Sequence, residues 1–180
     1  AFKEQIEDPD KASVPTLSGK IEIYCEHLAD MRDPKVPPIP MYMQHAESHD
    51  ALMAKKYPLQ LITPHDKKRA HSTWHNVPWC SEVEPHAISI NPVEARERGI
   101  SHDDMVDVFN DRGRIRIRVR VSERIMPGVA ALTQGAWYDP DGKGVDHGGC
   151  ANVLTRDDAS PGGAHPMNSA LVQVEPSSDP

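Results

Sequence analysis

The sequence has only three cysteines, Cys25, Cys80 and Cys150, and they are widely scattered. With no CxxC pair they cannot build a zinc ribbon or an iron–sulfur cluster, and they read as buried or loop thiols. No stretch approaches the ~20 consecutive apolar residues that span a bilayer, so no direct membrane insertion is expected. Positive charge is not in excess either: 20 Lys and Arg stand against 27 Asp and Glu, a formal net charge of -7. That balance argues against a whole-chain electrostatic grip on nucleic acid. No signal peptide opens the chain, and Ala1-Phe2-Lys3-Glu4 reads as a cut within a longer polypeptide. A GxSxG nucleophile elbow and a helical HExxH pair are also missing, so no catalytic residue and no metal ligand is assigned.

What is present points to one β-rich domain with long connections. A chain of 180 residues can bury one sizeable core. Seventeen Pro and eleven Gly break regular elements and mark turns. Gly19 to Tyr24 alternates and predicts a short strand, with a turn of helix over Cys25 to Ala29. Asp33 to Pro40 is proline-dense and suits neither helix nor central strand. The expected organisation is therefore an N-terminal arm and Pro-rich linker over 1–56, then a main domain over 57–180.

The main domain opens with an apolar run, Tyr57 to Thr63, suited to a buried strand. A polar loop from Pro64 to Glu84 follows, rich in His, Trp and Lys, and His86 to Ile90 predicts a second strand. Asn91 can cap a helix with Pro92 in its first turn, and Gly99 supplies the stop. Met105 to Phe109 predicts a strand, and Asn110-Asp111-Arg112-Gly113 a hairpin-type turn. Arg114 to Val121 alternates strictly, with Ile115, Ile117, Val119 and Val121 on one face and four arginines on the other. Pro127-Gly128 turns into a buried strand at Val129 to Thr133, a Gly-rich loop runs from Gln134 to Pro166, and Ser169 to Glu175 forms the last strand. Five or six strands around one short helix are expected. Both long loops exceed the roughly 15 residues beyond which a loop in a compact domain is usually functional or disordered.

The order of motifs closely resembles the C-terminal dinucleotide-binding domain of molybdopterin oxidoreductases of the dimethyl sulfoxide reductase family. The resemblance rests on Ile90-Asn91-Pro92-Val93-Glu94-Ala95-Arg96-Glu97-Arg98-Gly99-Ile100, then Asn110-Asp111-Arg112-Gly113, then Ile125-Met126-Pro127-Gly128-Val129. Leu61-Ile62-Thr63-Pro64-His65 with Arg69-Ala70-His71-Ser72 is similar to the family's first cofactor loop. Gln134-Gly135-Ala136-Trp137 and Cys150-Ala151-Asn152-Val153-Leu154-Thr155 are similar to the second. Many relatives carry Gly-Arg after the threonine; here Pro64-His65 removes a backbone donor and a fixed positive charge.

The resemblance implies a mainly β domain with short helices, a double-psi β-barrel of the aspartate decarboxylase-like kind. It implies binding of bis(molybdopterin guanine dinucleotide) with molybdenum or tungsten, a cofactor shared with preceding domains of the same catalytic subunit. Its phosphates and rings call for backbone N–H groups, cations, amides and hydroxyls. On this basis the cofactor-binding residues are Thr63, His65, Lys68, Arg69, His71, Ser72, Thr73, Gln134, Gly135, Trp137 and Asn152. The fragment is expected to be inactive alone. The full-length enzyme is expected to be an anaerobic respiratory reductase acting on an acceptor such as a sulfoxide. An iron–sulfur electron-transfer subunit is its implied partner, and a periplasmic or periplasm-facing, membrane-associated location is implied with it.

Two other readings compete. Arg114, Arg116, Arg118 and Arg120 form a strip on one strand face that could meet the phosphates of a nucleic acid, although that strand carries no stacking aromatics. A small self-contained decarboxylase on the same fold would need a self-processing Gly-Ser pair, which is absent. His45 and His49 are spaced i, i+4, and Asp139, Asp141 and Asp146 lie among glycines, but both sets read as polar linker or loop.

Overall fold

A computed structural model describes residues 2–160 and 163–178. Residues 161 and 162 of the second long loop, and the terminal positions 1, 179 and 180, lie outside the described residues. The chain divides into two compact units, one up to Gln44 and one from His45 onward. The first holds two short helices, α1 (Lys3–Glu7) and α2 (Glu26–Asp30). The expected strand at Gly19 to Tyr24 does not form. Gly19 instead takes a left-handed φ of 69° and accepts a hydrogen bond from Val14 N, while Glu22 accepts from Ser18 N. Ile21 and Ile23 of this short alternating run are exposed, and among the described residues no strand pairs with it.

The second unit is built on seven strands: β1 (Leu59–Ile62), β2 (Ile88–Ile90), β3 (Met105–Phe109), β4 (Arg114–Val121), β5 (Val129–Leu132), β6 (Val145–Asp146) and β7 (Ala170–Pro176). Their order is β2-β5-β1-β7-β3-β4-β6, and a further β2–β4 pairing closes the sheet on itself. The domain is therefore a closed, mainly β barrel with short helices. Closure leaves few unpaired strand edges, and alternation puts one face of every strand inside. Leu59, Leu61, Ile88, Ile90, Val106, Val108, Ile115, Val119, Leu132 and Val172 form that interior, each 1% exposed or less. β1 and β5 run parallel, as do β2 and β4, while β1–β7, β2–β5, β3–β4 and β3–β7 are antiparallel.

Two helices flank the barrel. In α4 (Pro92–Arg98) the Asn91 side chain accepts from Val93 N at 2.8 Å, and Gly99 closes the helix at φ 65°. Both are the caps the sequence supplies. The second, α3 (Pro78–Val83), falls inside the first expected loop, where no apolar period announces it. Likewise β6 and a 3-10 turn at Ala151–Val153 interrupt the second loop. Both are too short to leave a pattern.

Residues 45–56 pack with the barrel. Glu47, 4% exposed, accepts from Arg112 through both carboxylate oxygens at 2.7 and 2.9 Å and from Leu171 N at 3.0 Å. It thereby covers the outer face of β7, where Leu171 is fully buried. The arginine strip of β4 is engaged inside the molecule. Arg114 and Arg116 hold Asp107 at 2.8 and 2.7 Å, Arg118 donates to Asp103 O at 3.0 Å, and Arg120 pairs with Glu84. Burial alone would raise the Asp107 carboxyl, but hydrogen bonds from Arg116 and Arg114 outweigh it and hold it below 3.8. With its charges matched this way, the chain should show no salt-dependent shift with single-stranded or duplex oligonucleotides; a shift that weakens with added salt would contradict the engagement described.

Removing the Glu47 carboxylate leaves Leu171 N without its acceptor and Arg112 with Leu154 O alone and without its paired carboxylate. Glu47→Ala is expected to lower unfolding free energy by about 2–3 kcal/mol, measured by urea denaturation.

Candidate functional site

Strand register decides which loops meet. Ile62 lies beside Ala131, Leu61 beside Ala170, and Ile88 beside Leu132, while Phe109 pairs with Gln173. The C-terminal ends of β1, β3 and β5 and the N-terminal ends of β2 and β7 thus share one end of the barrel. Both long loops and the β3–β4 turn leave from that end.

The loops are joined by direct contacts. Gln134 N donates to Pro64 O at 3.0 Å, and its side-chain Nε2 lies 3.0 Å from the ring nitrogens of His65. Gly135, at φ 89°, presses on the first loop so closely that a Cβ there would collide with the His71 carbonyl. Trp137 Nε1 donates to Ser72 O at 2.8 Å, and its ring lies 5.8 Å from that of His75. His65 and His71 meet edge to face at 5.0 Å. Of the residues singled out from sequence, His65, His71, Ser72, Gln134, Gly135 and Trp137 therefore form one group. Thr73 is exposed beside them, paired through its backbone to Ala70.

Four others are placed differently. Thr63 is buried, its N–H donating to Asn168 Oδ1 at 2.6 Å. Lys68 pairs with Glu84 at 3.0 Å. The Arg69 side chain is 5% exposed and bonded to Asp66, His75 and Thr133. Asn152 is exposed next to Val153, which packs on Gly113 of the β3–β4 turn, with Leu154 O accepting from Asn110 and Arg112.

Between the loops lies a cleft of about 480 Å³ lined by His75, His86, Trp137, Tyr138, Asp139 and His147, among others. The groups that shape it were not all legible beforehand. Asp146 is fully buried and accepts from Asp139 N (2.7 Å), Gly148 N (3.1 Å) and Cys150 N (2.7 Å), pinning the second loop. Asp66 accepts from Lys68 N at 2.8 Å; burial would raise its carboxyl, yet that bond and the Arg69 charge hold it below 3.8. Sequence offered only a weak signal for Asp146, an acidic residue among glycines, and none for Asp66, His86 or Thr133.

His71 and Trp74 both adopt left-handed φ, 53° and 69°. For non-glycine residues this conformation costs on the order of 1–2 kcal/mol each and persists only where surroundings impose it. Such strain concentrates at ligand-binding loops.

Gly135→Ala would drive a methyl into the His71 carbonyl at an unfavourable φ. It is expected to separate the loops, red-shifting tryptophan fluorescence as Trp137 loses Ser72 O, and to cost about 2–4 kcal/mol in stability. Spectra and unfolding curves matching the parent would contradict this packing.

The Molydopterin dinucleotide binding domain family matches residues 59–171. Dimethyl sulfoxide reductase DmsA of Escherichia coli is 45% identical over 183 residues, covering 97% of this chain and 22% of that protein. DmsA of Haemophilus influenzae is 42% identical with 97% and 23% covered, and trimethylamine-N-oxide reductase 1 of Escherichia coli is 39% identical with 94% and 21% covered. The chain thus spans less than a quarter of the length of these relatives. Acetylene hydratase from Pelobacter acetylenicus shares the fold, with a TM-score of 0.77 at 19% identity over 94% of this chain and 25% of that one. The chain belongs to the molybdopterin dinucleotide-binding domain family and is related to dimethyl sulfoxide reductase catalytic chains.

Proposed function

We propose that the loop end of the barrel contacts the pterin and nucleotide parts of bis(molybdopterin guanine dinucleotide), carrying molybdenum or tungsten. The observation that carries this is the junction of the two loops at Gly135 and His71, which leaves His71, Ser72 and Thr73 exposed beside Trp137. The residues present suit an anionic ligand rich in donors and acceptors. His65, His71, Ser72, Thr73, Gln134, Trp137 and Asn152 make the direct contacts, while Thr63, Lys68, Arg69 and Gly135 hold the loops in place. The absence of a side chain at Gly135 brings two backbones together, and Asn152 presents both donor and acceptor to a heterocycle edge. When bound, the cofactor supplies oxygen-atom and electron transfer; this chain orients it and excludes water from one side.

The same proposal extends to architecture and context. The parallel pairs β1–β5 and β2–β4, with the short parallel β4–β6 pair, in a barrel whose other pairings are antiparallel support a double-psi, aspartate decarboxylase-like topology. Residues 57–180 are the cofactor-binding domain, and 1–56 are the arm and linker that follow a preceding domain, with 45–56 strapped to the barrel through Glu47. The full-length protein is a dimethyl sulfoxide reductase-like respiratory reductase, supported by the names of the relatives in the comparisons. It works with an iron–sulfur subunit on the periplasmic side and acts on a sulfoxide-like acceptor. Among the described residues no helix is long and apolar enough to cross a membrane.

The test is cofactor content in the purified full-length catalytic chain. Changing His71, Ser72 and Asn152 together to alanine is expected to reduce bound guanine dinucleotide and metal by about tenfold or more, the loss of several hydrogen bonds to a charged ligand. Unchanged content would remove the assignment.

A further inference from the structure

Arg69 and His86 lie behind the exposed part of the site and connect more segments than any exposed contact described above. Arg69 Nη1 donates to His75 Nδ1 at 2.6 Å, and Nη2 lies 3.0 Å from Thr133 Oγ1, 3.2 Å from Asp66 Oδ2 and 3.4 Å from His86 Nδ1. A guanidinium only donates, so both rings receive at Nδ1. His86 Nε2 lies 3.0 Å from Gly149 O. A carbonyl only accepts, so Nε2 carries the hydrogen and His86 is the neutral Nε2–H tautomer. Gly149, at φ 74°, is pressed so close that a Cβ would meet the His86 ring at 2.8 Å. One imidazole thus bridges the first loop, the end of β5 and the second loop.

We propose that Arg69 and His86 are positioning residues forming a latch that sets the spacing of the two cofactor loops, and that the latch holds only while His86 is neutral. The positioning role rests on the cofactor reading of those loops; the latch itself does not. His86 Nδ1 also lies 3.2 Å from Thr133 Oγ1. A proton there can still be given to that oxygen, but it turns an acceptor into a donor facing the Arg69 guanidinium, which loses its bond, and sets two cations against each other. Asp66 is the carboxylate on Arg69. Glu84 is engaged by Lys68 and Arg120. His75 accepts from Arg69 in the same sense, Cys80 of α3 lines a small adjoining pocket, and Asp139 and His147 face His86 across the cleft. Burial is the leading cause holding His86 below the ordinary 6.5, with Arg69 and His75 adding to it and the Gly149 bond and Asp66 opposing. His75 is lowered first by burial and then by Arg69. For a histidine lowered in the folded state, the stabilisation is complete above 6.5 and is lost as pH falls below it.

Nitrogen NMR of the histidine rings and amide exchange of this chain without cofactor test the latch. Parent protein near neutral pH should show the Nε2–H tautomer at His86. Protection factors at Gly148, Gly149 and Cys150 should fall about tenfold as pH drops from about 7.5 to about 5.5. His86→Gln keeps a donor for Gly149 O and an acceptor for Arg69 but does not titrate, so its protection should be high and independent of pH. His86→Ala should be poorly protected at both. Parent protection that ignores pH, a Gln variant that behaves like the Ala variant, or an Ala variant as protected as the parent would each overturn the latch, whatever the chain binds. In the full-length catalytic chain, cofactor retention should fall over the same pH range in the parent and not in His86→Gln. Retention that stays constant while the loops loosen would overturn the positioning role.

Discussion

The parallel pairing of Ile88–Ile90 with Val119–Val121 is the contact on which the rest of the molecule depends. Without it the strands form an open sheet edged by β2 on one side and, beyond the two-residue β6, by the unpaired end of β4 on the other. With it the sheet closes, the apolar faces of six strands turn inward, and no large apolar residue of those faces is left to solvent. Closure also fixes the loops. Residues 64–87 leave β1 and residues 133–144 leave β5, two neighbouring parallel strands, so the loops start side by side and must run over the same barrel end.

A loop of that length carries many backbone groups that no sheet satisfies, and the structure meets this with buried side chains. Asp146 takes three backbone N–H groups of the second loop, Asp66 takes one in the first, and Arg69, Thr133 and His86 tie the loops together. Placing these polar groups inside leaves the outer surface of the loops to His71, Ser72, Thr73 and Asn152, all exposed. Loops tied by buried side chains and carrying exposed donors suit a large anionic heterocyclic ligand, because contacts already made within the protein lower the ordering cost of binding.

Most of the barrel was legible from sequence, because period-two alternation is imposed by the two-sidedness of a strand. Arg114 to Val121 shows this best: its isoleucines and valines are inside and its arginines outside. Helix α4 was legible for a different reason, since Asn91, Pro92 and Gly99 are chemically suited to its ends. Gly19 to Tyr24 misled because alternation says nothing about whether a partner strand exists. The motif order also pointed to the two loops, but not to the division of labour within them. Arg69 reads as a cation for phosphate, yet it is buried among protein partners; the polar hub at His86 has no local pattern because its members come from four separate segments. Hydrogen-bond networks of that kind are properties of the folded chain.

The central claim is that the two loops act as one surface for the cofactor. Amide exchange on the full-length catalytic chain, compared with and without molybdopterin guanine dinucleotide, tests it most directly. Protection gained together over residues 65–76 and 134–152, with the β4 arginine strip unchanged, is the result this account requires. Protection confined to one loop, or appearing at the β4 strip instead, would contradict it.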